Sequence, residues 1–124
     1  MRSAQADFNL PLLGRYDVVC AFECIHDLSD PVGVPTSMRM LTKPDGRVIV
    51  MDERCAEDFG AVGDLLERYF YGFSLMVRLP DGMSYQPSDG NGTVMRPSTL
   101  GAYAREAGFA LAEVLPLKND FFRF

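Results

Sequence analysis

The 124-residue chain is short of what marks a metal centre, a membrane protein or a nucleic-acid binder. It holds one histidine and three cysteines. Cys20 and Cys24 have no second pair to complete a tetrahedral zinc set, so no metal is expected. An odd number of cysteines, two of them in or beside an apolar run, points to reduced thiols and a cytoplasmic setting. Basic residues are outnumbered: 12 Lys and Arg stand against 17 Asp and Glu, a net charge of −5. That balance argues against nucleic acid or an anionic membrane as partner. No run reaches the roughly 18 apolar residues of a spanning helix, and the first residues lack the apolar stretch of a signal peptide. Internal repeats and low-complexity segments are also missing. The one Gly-x-Gly, Gly90-Asn91-Gly92, follows Ser88-Asp89 rather than an apolar strand. It reads as a turn, not as a phosphate cradle.

What remains is an ordinary globular balance, 48% apolar and 23% charged, enough for one domain with a core. The chain is organised around residues 16–52. Residues 18–22 and 48–51 are near-continuous apolar runs without in/out alternation, the pattern of parallel strands covered on both faces. Between them, Asp30 before Pro31 predicts a helix start, with Asp as cap and proline at the first helical position. Val34, Met38 and Leu41 then recur on one helical face. Pro35 would cost about 3 kcal/mol inside a helix, so the helix either carries that cost or begins late, with Pro35 in its first turn. Residues 43–46, Lys-Pro-Asp-Gly, turn the chain into the second strand.

Farther along, Val62, Leu65, Leu66, Tyr69, Phe70, Phe73, Met76 and Val77 keep a 3.6-residue spacing and predict one helix with that stripe in the core. Tyr71 lies off the stripe, a candidate to face a cavity. Residues 79–96 read as a long Gly/Pro/Asp/Ser-rich loop of the kind that is usually functional or disordered. Ser98 is the expected cap of a last helix, with Leu100, Tyr103, Ala104 and Ala107 inward and Gly108 as its stop. Residues 111–117 and 121–124 are predicted to form a closing hairpin around Lys118-Asn119-Asp120.

Ligands of parallel sheets sit outside the carboxyl ends of the strands, which directs attention to residues 22–30 and 52–55. His26 is the sole histidine and follows the first strand, with Glu23 and Asp27 near in sequence. A neighbouring carboxylate can fix the tautomer of an imidazole and raise its basicity, so His26 is a candidate general base. The alternative is a histidine that only braces the loop. Asp52 and Glu53 read first as helix-start acids, second as a border of the site.

The same residues carry a resemblance. Tyr16-Asp17-Val18-Val19, then His26-Asp27-x-x-Asp30-Pro31, then Leu41-x-Lys43-Pro44-Asp45-Gly46-Arg47 through Asp52-Glu53 resembles the middle of a class I S-adenosylmethionine-dependent methyltransferase. Arg96-Pro97-Ser98-Thr99-Leu100, Glu106-Ala107-Gly108-Phe109 and Asn119-Asp120-Phe121-Phe122-Arg123-Phe124 extend it to nearly the whole chain. Bacterial two-domain members with a winged-helix domain ahead of the catalytic one are the most similar. The resemblance implies an α/β fold, the carboxyl-terminal half of a Rossmann-like methyltransferase domain, with strands equivalent to 4, 5, 6 and 7 and the last antiparallel. It implies S-adenosylmethionine as cofactor, a small-molecule methyl acceptor, and His26 as catalytic residue. Asp7 and Phe8 would lie at the adenine, and Phe22 and Glu23 at the methionyl portion. The family's glycine-rich cofactor loop has no counterpart in these 124 residues, so cofactor binding by this chain alone is not expected. The alternative function is a non-catalytic module. In the full fold residues 17–22 form a central strand; here their edge is bare and calls for a homodimer or a partner to cover it.

Overall fold

The computed structural model describes residues 16–60, 64–91 and 94–124. The fold is mixed α/β: a three-stranded sheet in the order β1-β2-β3, with helices beside it. β1 (Tyr16–Phe22) and β2 (Thr42–Glu53) are parallel and joined by a 3-10 turn (Ile25–Asp27) and helix α1 (Gly33–Leu41). β3 (Phe122–Arg123) pairs antiparallel with the end of β2, Asp52 opposite Arg123 and Glu53 opposite Phe122.

The parallel pair is regular from Val18↔Arg47 to Phe22↔Met51, but the register slips between Tyr16↔Thr42 and Val18↔Arg47. The predicted turn at residues 43–46 is absorbed there as a bulge within β2. Gly46 is required at that point, because an added Cβ would lie 2.9 Å from the Asp17 carbonyl oxygen and 3.0 Å from that of Tyr16. Lys43 Nζ closes the bulge on Asp17 Oδ1 at 2.7 Å.

Helix α1 begins late. Asp30 Oδ1 accepts from the Gly33 N–H at 2.8 Å, and Pro31 and Val32 form the turn that leads in. Pro35 therefore falls in the first helical turn, where no intrahelical N–H bond is lost. Met38 is buried and Val34 partly buried, packed with Ala21, Ile25 and Met95 in the main core. Helix α4 (Pro97–Glu106) adds Leu100 and Tyr103 to the same layer. It ends as predicted at Gly108, whose φ of 88° suits glycine. Arg39 Nε donates to the Ala107 carbonyl at 2.9 Å, a cation placed on a helix carboxyl end.

Three expectations are corrected. Among the described residues the sheet is covered on one face only. Val19, Ala21, Val48 and Val50 face the core, whereas Val18 and Phe22 are 50% and 54% exposed. The apolar run encodes a need for a second layer, but the described residues do not supply one. The predicted long helix runs unbroken over residues 65–83, as α2 (Leu65–Phe73), a π-helical turn (Ser74–Arg78) and α3 (Leu79–Met83), but much of its stripe is not in the core. Phe70 is buried, but Leu65 is 83% and Met76 74% exposed, so much of the stripe faces outward. Periodicity reports that a face is apolar, not that something lies against it. The closing hairpin is reduced to β3. Residues 111–117 form no strand, and Leu115 N–H to the Phe124 carbonyl, 2.8 Å, is the cross bond recorded there. The turn before β3 is real: Asn119 Oδ1 accepts from both Phe121 and Phe122 N–H, at 2.9 and 2.8 Å.

Residues 79–96 also differ from a plain loop, since α3 occupies the start and Val94 and Met95 are buried. Gly90 adopts φ 64°, as a turn requires. Tyr71 is half-buried. Its hydroxyl accepts from Arg96 Nη2 at 2.6 Å and its ring meets Phe59 edge-on. All three thiols are free.

Candidate functional site

The carboxyl ends of β1 and β2 lie side by side, and the polar groups they carry converge on His26. The 3-10 turn after β1 folds the imidazole back under the strand end, where it is fully buried. Asp52 and Glu53 are the last residues of β2 and are buried too. His26 Nδ1 lies 2.6 Å from Asp52 Oδ1 and 3.2 Å from Glu53 Oε2. Asp52 Oδ1 also accepts from the Glu53 backbone N–H at 2.9 Å, which fixes the carboxylate before it meets the ring. A proton on Nδ1 donates to Asp52, so the free lone pair of the neutral ring is on Nε2.

Nε2 is not open to solvent. Arg78, the last residue of the π-helical turn, places Nη1 against His26 Nε2. The same Nη1 reaches Asp27 Oδ2 at 2.9 Å, and Nη2 reaches Glu53 Oε1 at 3.0 Å and Glu23 Oε2 at 3.7 Å. The guanidinium sits 5.2 Å from the centre of the Phe73 ring. Four carboxylates thus surround one guanidinium and one imidazole. His26, Asp52 and Glu53 form the floor, while Glu23 and Asp27, 27% and 31% exposed, form the rim.

Burial and neighbouring charges bias the cluster toward holding protons at Glu53, Glu23 and His26. Burial, with the hydrogen bond to Asp52, pushes the Glu53 carboxyl up to about 7. Burial and the Asp52 charge raise Glu23 as well. For Asp52, burial favours the neutral acid, but the bond and charge of His26 outweigh it and hold the carboxyl below its ordinary value. Burial likewise disfavours the imidazolium of His26; the Asp52 bond, with the charges of Asp52, Glu53 and Asp27, reverses this and raises its pKa. Ligand-type atoms of His26, Asp52 and Glu53 lie within 4.8 Å of one another. Nδ1 is hydrogen-bonded to Asp52, and the Arg78 guanidinium supplies a cation beside Glu53.

Of the predicted site residues, the structure brings His26 and Glu23 together. Glu23 stands at φ 53°, an uncommon conformation outside glycine, and its Oε1 is buried without a partner. Phe22, one residue earlier, is exposed at the strand end. Asp7 and Phe8 lie outside the described residues. Asp52 and Glu53, read first as helix-start acids, face the histidine instead, and no helix follows them directly. The signal for them was available: two acids closing an apolar strand parallel to the one that precedes the sole histidine. Arg78 had no signal, because nothing in its spacing says that the turn it ends folds back onto His26.

No helix among the described residues is long and apolar enough to cross a membrane. No family model matches the chain. A 101-residue stretch, 81% of the chain, is 33% identical to part of prosolanapyrone synthase of Alternaria solani. That stretch is 3% of the relative's own length, so the chain spans only a small fraction of the protein it matches.

Proposed function

We propose that the chain forms the acceptor-side half of a class I S-adenosylmethionine-dependent methyltransferase domain acting on a small molecule. The observation that carries this is the buried His26–Asp52 pair at the carboxyl ends of two adjacent parallel strands, 2.6 Å apart. The strand order supports it, with β3 antiparallel on the far side of β2. So does the matching order of Tyr16-Asp17, His26-Asp27, Asp30-Pro31, Asp45-Gly46 and Asp52-Glu53 along the sequence. The likeness to part of a much longer synthase is in keeping with a unit that works inside a larger enzyme.

When bound, S-adenosylmethionine supplies a methyl carbon on a cationic sulfur. The described residues fit one flank of it: Phe22 is an exposed ring at the strand end, and the half-buried Glu23 follows it directly. In this reading His26 receives the acceptor's proton on Nε2, while Asp52 holds Nδ1–H and stabilises the imidazolium that results. The test is titration of the 124-residue chain with S-adenosylhomocysteine, followed by amide NMR and by calorimetry. Millimolar ligand is expected to shift residues 22–27, with no micromolar heat because the glycine loop is absent from the sequence. Unmoved signals over residues 22–27 would count against the cofactor flank.

A second reading is favoured by one observation: the outer edge of β1 has no strand beside it among the described residues, and the sheet face that carries Tyr16, Val18 and Phe22 is exposed next to that edge. The occupant we favour is a second copy of the chain, pairing edge to edge so that two small sheets become one. Light scattering is expected to return a dimer. A stable monomer at high concentration would rule this reading out.

A further inference from the structure

We propose that Arg78 is a proton-coupled latch on His26: its guanidinium covers Nε2 while the ring is neutral and shifts toward Glu23 when Nε2 takes a proton. The latch rests on the reading of His26 as proton acceptor given above, and it makes Arg78 a positioning residue for that histidine. The reason is a conflict between two arrangements. Nδ1–H belongs to Asp52, 2.6 Å away, so a neutral ring presents a lone pair at Nε2, where Arg78 Nη1 donates. An imidazolium presents N–H at the same place, where Asp27 Oδ1 stands 3.4 Å away and the guanidinium is a second cation in the way. The two cannot share the position, and the ring cannot turn over without giving up Asp52.

A seat for the displaced guanidinium is already built. Glu23 Oε2 stands 3.7 Å from Arg78 Nη2, too far for a hydrogen bond. Glu23 Oε1 and Arg78 Nε are both buried and both without a hydrogen-bond partner. Buried polar atoms are rarely left so. A donor and an acceptor orphaned on two residues that already approach each other are what an unused second position would leave. Glu23 is held toward the cluster by its left-handed backbone, φ 53°.

The groups around His26 permit this shift. Glu23 follows β1, Asp27 lies in the 3-10 turn, Asp52 and Glu53 close β2, and Arg78 ends the π-helical turn. Helix α3, packed on the 3-10 turn, adds only the exposed Asp81 as a titratable residue. Asp27 and Glu53 contact Arg78 at 2.9 and 3.0 Å and can tether it throughout. The turn that carries Arg78 is a π-helical one, a form found often at functional sites. Its Leu75, Met76 and Val77 are exposed, so little apolar packing opposes its movement. For the reaction, the consequence is that access to Nε2 and departure of Arg78 become one event.

The sole histidine makes the test direct. The full chain is titrated from pH 9 to pH 5 by NMR without cofactor, following the His26 ring nitrogens, the Arg78 guanidinium and the amides of residues 75–79. In the wild type, the guanidinium and those amides are expected to move with the same midpoint as His26. Arg78→Met removes the competing cation and should raise the His26 midpoint by about one pH unit, a tenfold change. Arg78→Lys keeps the charge, and its midpoint should stay nearer the wild type. A wild-type titration in which Arg78 and residues 75–79 stay still overturns the latch, and needs no variant to fold. An Arg78→Met midpoint equal to the wild type overturns it as well. No cofactor is present, so either failure leaves the transferase reading standing, and failure of the S-adenosylhomocysteine titration leaves the latch standing.

Discussion

Replacing Glu53 by glutamine is expected to stabilise the protein at alkaline pH, although Glu53 touches both Arg78 and His26. The carboxyl moves from an ordinary 4.5 to about 7 on folding, chiefly through burial and its bond with Asp52. Between those values the folded protein keeps a proton that the unfolded chain releases. Stability from this group is therefore fully present below 4.5 and lost as pH rises through about 7. At about 1.4 kcal/mol per tenfold, the displacement sets a ceiling of roughly 3 kcal/mol. Water reaches the rim of the cluster through Glu23 and Asp27, and screening trims the figure to about 2 kcal/mol. Glutamine copies the protonated acid and cannot ionise. The difference between Glu53→Gln and wild type should be near zero at pH 4.5 and about 2 kcal/mol in favour of the variant at pH 8. Urea unfolding at several pH values, with midpoint and slope compared, measures it. The variant also removes a charge that raises His26, so the His26 midpoint is followed by NMR in both proteins. A variant less stable than wild type at pH 8, or a difference that ignores pH, would show that the ion pair with Arg78 outweighs the burial of the carboxylate.

Three further changes test the frame around the site. Glu23→Gly relieves a φ of 53° and should raise stability by about 1 kcal/mol in thermal unfolding; a loss would mean that contacts of the side chain exceed the backbone strain. Asp64→Ala removes the oxygen that accepts from Glu67 N–H at 2.7 Å at the start of α2, and about 1 kcal/mol should be lost by chemical denaturation. Gly46→Ala drives a methyl group against the β1 backbone and should cost about 1–3 kcal/mol; hydrogen exchange should locate the damage at residues 16–18 and 42–47, and a protein unchanged there would mean that the bulge yields.

Much of the strand–helix–strand unit is local information. Residues 18–22 and 48–51 are apolar runs of strand length, Asp30-Pro31 and Lys43-Pro44-Asp45-Gly46 punctuate the helix between them, and a parallel pair needs such a crossover. The late start of α1 could be anticipated from Pro35 alone, because a proline is harmless only in the first turn. His26 was legible as a candidate from its rarity and its place after a strand.

The remainder was settled by what packs on what. The stripe along α2 shows a helix with an apolar face, but the exposure of Leu65 and Met76 depends on which surfaces lie opposite, and no spacing encodes that. Asp52 and Glu53 look the same in sequence whether they begin a helix or close on an imidazole; the register of β2 against β1, Phe22 opposite Met51, is what brings them to His26. Arg78 lies 52 positions from His26, and its contact exists only because the chain turns back after α2. Local chemistry thus determined the strand pair and the histidine at its end. Tertiary packing alone decided the carboxylates and the guanidinium around it, because short-range backbone preferences act over a few residues, whereas burial and charge act across space.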